Sequence, residues 1–476
     1  MSASPPRDRV PHGPMPRGGA SDSPASSGPG SDRPGSADSG TAITAGSILA
    51  GGLPLDLQAR PGPAILSARL VIRGGSGADP IGRRGAHQLL AGLMTRGCGD
   101  LDAQALADLV EGAGAGLRAD AGEDSLVLGL KCAAEDSHQL LPLLLQMVRQ
   151  PRLEPDQLEL ERQLNLQALQ RQREDPFQLA HDQLRRLLYG DGPYGHDPLG
   201  VEADLEAIGH ADLHRLVTGL GQRGAVLVLC GDLPTDPVSL LERGLNREHG
   251  PVVAPGPAEA PPPPPSPSSP SLRQPPGLAC LEQDTEQLVL MLGCATLPLG
   301  HPDTLALRLL QAHLGVGMSS RLFVTLREEH GLAYDVGVHL PARCAAAPFV
   351  LHLSTSAERA GEACACLLDE WMRVLSQPLS PGELELARAK HRGQEAMARQ
   401  TCSQIADRRA LLLSHGLPVD QFERDLDRVG QLQATDLLAA ARQWLPQPQL
   451  SLVGPAEALR AAGQAWQRHP LSRSGR

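Results

Sequence analysis

A chain of 476 residues with a formal net charge of −11 is too long for one ordinary hydrophobic core and fits two domains. The acidic balance excludes the clustered Lys and Arg that a nucleic-acid groove or an anionic membrane surface requires, so neither is expected as a partner. The nine cysteines are scattered without a C-x-x-C pair and are expected as small buried thiols in a reducing compartment.

Residues 1–45 are rich in Ser, Pro, Gly and Asp with few large apolar side chains, and cannot bury enough surface to offset the entropy of ordering. They carry no apolar signal core, and no segment of the chain approaches the length of a membrane span, so a soluble, cytoplasmic protein is expected. A first domain is predicted over 46–250. The proline-dense stretch 251–277, which includes "PPPPPSPSSP", reads as a semi-rigid extended linker. A second domain follows over 278–463, with 464–476 as a tail.

Within the first domain, "AILSARLVIRGG" predicts a strand, and "ADPIGRRGAHQLLAGLM" a proline-containing turn that leads into a helix. "DSLVLGLKCA" predicts a further strand and "SHQLLPLLLQMVRQ" a helix; "PRLEPDQLELERQLNLQAL" predicts another helix, opened by a proline. The same succession returns in the second domain as "LVLMLGCATLPL", "GHPDTLALRLLQAHL", "PFVLHLSTSA", "AGEACACLLDEWMRVLSQ" and "QPLSPGELELARAKHRGQEA". Duplication of one α+β unit is the economical reading.

Two stretches bear on chemistry. In "GAHQLLAGL", residues 85–93, His87 stands where an H-x-x-E-H zinc motif would begin, but Leu90 and Ala91 occupy the places of its glutamate and second histidine. A hydrolytic zinc site needs three protein ligands and an open position for water, so this stretch cannot assemble one. His87 is then expected as a partly buried histidine hydrogen-bonded at a helix start. His210 and His214 in "HADLH" have helical i,i+4 spacing, but no third ligand accompanies them, and a surface helix with two histidines is the plainer reading. In "GVGMSSRLFVTLREEHGLAYDVGVHL", residues 315–340, Arg327 and Tyr334 lie seven apart. Arg327 is predicted on an amphipathic helix, Gly331 to let the chain leave it with positive φ, and Tyr334 to begin the next strand. The glycines of "GVGMSS" are not followed by Gly-Lys-Ser/Thr, which excludes a phosphate loop.

On these motifs the sequence resembles the pitrilysin or insulinase (M16) family of zinc peptidases, in particular its bacterial, processing-peptidase-like branch. That family carries H-x-x-E-H and, after 76 intervening residues, a glutamate on a helix resembling "ERQLNLQA". Here Glu161 and Arg162 match, while Leu90 replaces the general base and Ala91 and Ala168 replace two ligands. The "SSRLF...REEHGLAY" string is similar to the family's second-domain signature, whose arginine and tyrosine face the zinc and correspond to Arg327 and Tyr334. The resemblance implies two homologous α/β-roll domains arranged as a clam-shell, opening about the linker.

In part of the family one chain bears the zinc and a homologous chain supplies the Arg/Tyr pair. The resemblance therefore implies a non-catalytic, substrate-binding subunit with no metal or cofactor of its own. Zinc would lie on a heterodimeric partner with an intact H-x-x-E-H, and extended peptides would be the substrates. Arg327 and Tyr334 would hold the substrate carbonyl and stabilise its oxyanion. The plainer reading makes Arg327 a solvated helix residue paired with a nearby glutamate and Tyr334 a half-buried strand residue. The alternative function is a pseudopeptidase that serves as a scaffold or peptide-binding module without hydrolysis. An active peptidase would need an unrecognised metal site.

Overall fold

The computed structural model describes residues 44–49, 52–244 and 275–473. The expected N-terminal tail up to residue 43, and 251–274 of the expected linker, lie outside these described residues. The first half runs β1 (Thr44–Ile48), β2 (Pro54–Ala59), β3 (Ile65–Arg73), α1 (Ala86–Met94), α2 (Ala103–Gly112), β4 (Gly116–Ala121) and β5 (Ser125–Ala133). It continues through α3 (Ser137–Arg149), α4 (Pro155–Arg173), α5 (Pro176–Tyr189), α6 (Glu202–Ala207), α7 (His210–Gly219), β6 (Ala225–Gly231) and α8 (Pro237–Gly244). The second half runs β7 (Leu278–Glu282), β8 (Gln287–Ala295), α9 (Thr304–Gly315), a π-helical turn (Phe323–Glu329), β9 (Asp335–His339), β10 (Pro348–Ser356) and α10 (Ala360–Ser376). After it come α11 (Pro381–Met397), α12 (Cys402–Ser414), α13 (Gln421–Val429), α14 (Ala434–Trp444), β11 (Gln449–Gly454) and α15 (Ala456–Arg468).

The two sheets have the orders β1-β2-β6-β3-β5-β4 and β7-β11-β8-β10-β9. Without β1 they correspond strand for strand in order and direction: each has a parallel edge pair (β2 with β6, β7 with β11) and antiparallel pairing elsewhere. The fold is therefore α+β with two similar mixed sheets, as the duplicated sequence pattern requires. Every segment quoted above as a strand or helix forms one. Residues 464–473, expected as a tail, instead complete α15 and a short 3-10 turn. Trp466 and Leu471 are 4% and 1% exposed there, and their burial holds the end of the chain against the second core.

The period-two geometry of the strands explains how the halves are joined. On β3 the residues Leu66, Ala68, Leu70 and Ile72 face the first half's own core. The intervening side chains face α12, which belongs to the second half: Ser67 Oγ lies 3.1 Å from Ser403 Oγ, Arg69 pairs with Asp407 at 2.5 Å, and Val71 packs with Ala406 and Ala410. Arg409 of the same helix forks onto Asp56 of β2 at 2.5 and 2.7 Å. The second half mirrors this. Leu288, Leu290 and Leu292 of β8 face their own core, while Val289 and Met291 meet Leu184 and Leu188 of α5, which belongs to the first half.

Each half thus lends one helix to the other's sheet. Separating the halves would expose both apolar layers, at about 1.5–3 kcal/mol for each fully buried large side chain. That cost opposes the expected wide opening about the linker.

Candidate functional site

Helix α1 begins at Gly85, whose φ of +105° is reserved for glycine and whose absent Cβ leaves room for Leu205, which would otherwise lie at 2.6 Å. Its first backbone N–H groups are capped by Asp79: the carboxylate accepts from Gly85 N at 2.8 Å and His87 N at 3.3 Å. The same carboxylate binds His87 Nδ1 at 2.6 Å. His87 is 5% exposed, so it is a locally hydrogen-bonded helix-start histidine with a buried carboxyl partner.

One turn further on, Leu90 and Ala91 are both fully buried in the first core. Ala168 is half-buried on α4. Glu161, two turns earlier on the same face of α4, ion-pairs with Arg96 at 2.6 Å, and its carboxylate lies against Gly92, where a Cβ would meet Oε2 at 2.3 Å. Arg162, the other residue of the matching pair, caps the carbonyls of Leu205, Glu206 and Ile208 at 3.0–3.2 Å. The inherited zinc position offers one imidazole already bonded to a carboxylate, with apolar side chains where two further donors would stand. This donor set does not fit zinc. His210 and His214 meet edge to face on α7 with ring centroids 4.3 Å apart, and His210 Nε2 is bound to the Leu153 carbonyl at 2.5 Å.

The Arg327/Tyr334 corner is built differently. The π-helical turn is closed by His330 N bonding to Thr325 O at 3.2 Å, and Gly331 leaves it with φ of +57°. Such widened turns recur at functional positions. Tyr334 N then joins Ser354 O at 2.9 Å, immediately ahead of β9. Arg327 Nη1 donates to the Tyr334 carbonyl at 3.0 Å and its guanidinium lies 5.1 Å from the Phe323 ring centroid. Among the described residues Arg327 forms no ion pair. Tyr334 is 59% exposed, more than a half-buried strand residue would be. Arg327 and Tyr334 are both exposed, and each side chain carries a donor of the kind that holds a carbonyl oxygen.

A third region was not read from the sequence. A cavity of about 450 Å³ lies between α5 and the second sheet, bordered by Phe177, His181, Tyr189, Tyr194, His339 and Arg343. Burial, with Arg185 beside it, pushes His181 down to about 4, and burial followed by neighbouring His339 does the same to His352 behind Phe177. The imidazoles are therefore neutral near pH 7. Arg185 is matched by Asp182 and Asp197 and Arg343 by Glu123, so the cavity suits an apolar group with a polar tip better than a net charge. One signal was available: the chain has only three tyrosines and four phenylalanines, and three of those seven rings border this space.

Residues 57–200 match the insulinase family, peptidase family M16, and residues 221–390 match the peptidase M16 inactive domain. An uncharacterized zinc protease of Mycobacterium leprae is 26% identical over 280 residues, spanning 58% of this chain and 61% of that protein. A non-peptidase homolog from Helicobacter pylori is 26% identical over 270 residues, spanning 56% of this chain and 60% of that protein. The crystal structure of a peptidase M16 inactive domain from Pseudomonas fluorescens is similar with a TM-score of 0.77 and 23% identity, covering 87% of this chain and 98% of that one. These alignments span about three-fifths of the two relatives' own length.

Proposed function

We propose that this chain, which belongs to the M16 (insulinase) peptidase family, is a non-catalytic, substrate-binding subunit of a two-chain zinc endopeptidase. The observation that carries the reading is the contrast within one chain: buried Leu90 and Ala91 stand where a zinc motif would need donors, whereas Arg327, on the π-helical turn, and Tyr334, just after it, stand exposed. A chain so arranged can bind a peptide but cannot by itself activate water at the inherited position. Arg327 and Tyr334 would donate to a carbonyl of an extended substrate, while the partner would supply the metal and its general base. Backbone pairing along a sheet edge would give affinity with little sequence selectivity.

The test is reconstitution with a homologous chain that carries H-x-x-E-H. Arg327→Ala or Tyr334→Phe is expected to lower turnover of the pair by about one to two orders of magnitude without preventing assembly. Unchanged turnover in both variants would remove the assigned roles.

The second reading, a scaffold or peptide-binding module, draws support from the exchanged helices, which suit a fixed binding surface better than one that opens widely. A relative named as a non-peptidase homolog favours it as well. The readings separate on the partner, since only the first requires one with an intact zinc motif.

A further inference from the structure

Among the described residues, Asp124, Cys344 and His415 bring three potential ligand atoms within 4.8 Å of one another. They come from the turn between β4 and β5, the loop between β9 and β10, and the C-terminal end of α12. The carboxylate is already positioned: Asp124 Oδ1 accepts from Tyr194 Oη at 2.6 Å and Oδ2 from the backbone N–H of Cys344 at 2.9 Å. His415 is only 9% exposed. Its Nδ1 lies 2.7 Å from the Leu411 carbonyl, an acceptor only, so the ring proton sits on Nδ1 and Nε2 presents a bare lone pair. That Nε2 is buried with no hydrogen-bond partner among the described residues. A buried acceptor left unmatched is costly and rare, and an imidazole oriented by a backbone carbonyl through its other nitrogen is the usual preparation of a metal-binding histidine.

We propose that Asp124, Cys344 and His415 bind a zinc ion whose fourth position is filled by water, and that this ion clasps the two halves of the chain, separate from the H-x-x-E-H-like position on α1. One imidazole, one thiolate and one carboxylate match the ligand preferences of zinc and of its cobalt substitute, and give magnesium or calcium too few oxygens. Tetrahedral bonds of about 2.0–2.3 Å place ligand atoms roughly 3.3–3.8 Å apart, so the cluster has to contract by about 1 Å. The thiol would lose its proton on binding, and the two anionic ligands would then balance the dication. The site sits where the exchange of helices needs securing. Asp124 belongs to the first half, His415 closes the second-half helix that lies on the first sheet, and Arg343 next to Cys344 pairs with Glu123 at 2.5 Å. The absence of a metal expected from the sequence concerned one motif on one helix, whereas these ligands are separated by 220 and 71 residues.

The experiment is a cobalt(II) titration of the chelator-treated full-length chain, read by absorption and by metal analysis, with zinc added afterwards. The expected result is one cobalt per chain with a thiolate-to-cobalt charge-transfer band, displaced by zinc, and a higher melting midpoint with zinc. Cys344→Ser should abolish the band and His415→Gln should weaken binding at least about tenfold. The double variant His210→Ala/His214→Ala should retain both signals. Circular dichroism of Cys344→Ser, the near-isosteric change, guards against reading misfolding as lost binding. Stoichiometric cobalt with the same band in Cys344→Ser, or no thiolate band in the wild-type chain, would overturn the proposal.

Discussion

The two halves descend from one pattern but treat their polar corners in opposite ways. On α1 of the first half, the positions that would ligate zinc are absorbed into the core, and the remaining histidine is bonded to the carboxylate that caps its helix. At the π-helical turn of the second half, the donors stay at the surface, supported through backbone bonds and not through burial. Side chains taken into the core at one corner contribute to packing, whereas the exposed pair at the other adds little to it and is free to meet a ligand.

The sharpest way to break that comparison is to rebuild the motif. Leu90→Glu with Ala91→His places a charge and a larger ring at fully buried sites, and the double variant is expected to lose about 4 kcal/mol or more in chemical denaturation. Wild-type stability together with zinc uptake would show that the position was never filled. Next in size is the reciprocal helix exchange. Ala180→Asp on α5 and Ala410→Asp on α12 each bury an unpaired carboxylate between halves, and each should destabilise by about 3 kcal/mol. A large effect from only one of them would mean that the exchange is not reciprocal in energy.

The cavity histidines give a smaller, pH-dependent term. His181 and His352 have folded pKa values near 4, below their ordinary 6.5, so the unfolded chain binds more protons between those values. Their contribution is complete above pH 6.5 and is lost as pH falls toward 4. The denaturation midpoint should drop from pH 7 to pH 5, and His181→Gln should reduce that drop; an identical pH response in the variant would contradict the burial argument. The smallest stability effect belongs to the second-half corner: Arg327→Ala and Tyr334→Phe, at exposed positions, should each change stability by no more than about 0.5 kcal/mol. A larger loss would make the pair structural.

Long apolar runs made β3, β5, β8 and β10 legible, and prolines at the first turn made α4 and α11 so. The parallel edge pairs were not: β2 and β6, or β7 and β11, are short segments joined only through distant pairing. The loan of α5 and α12 was also hidden, because a two-sided strand such as β3 shows where apolar side chains lie but not which half covers each face. In the candidate site, Leu90 and Ala91 could be read by spacing from His87, and Ala168 through the resemblance to the M16 family. Asp124, Cys344 and His415 could not, since each is a single residue without a local pattern and only the fold brings them together.

The most direct measurement is mild affinity purification of the tagged full-length chain from its native cell, with the co-purifying chains identified by mass spectrometry. The account predicts a stoichiometric partner of similar length that carries H-x-x-E-H and the distant glutamate. Recovery of this chain alone, or with unrelated proteins, would contradict the peptidase-subunit reading and leave the binding module in its place.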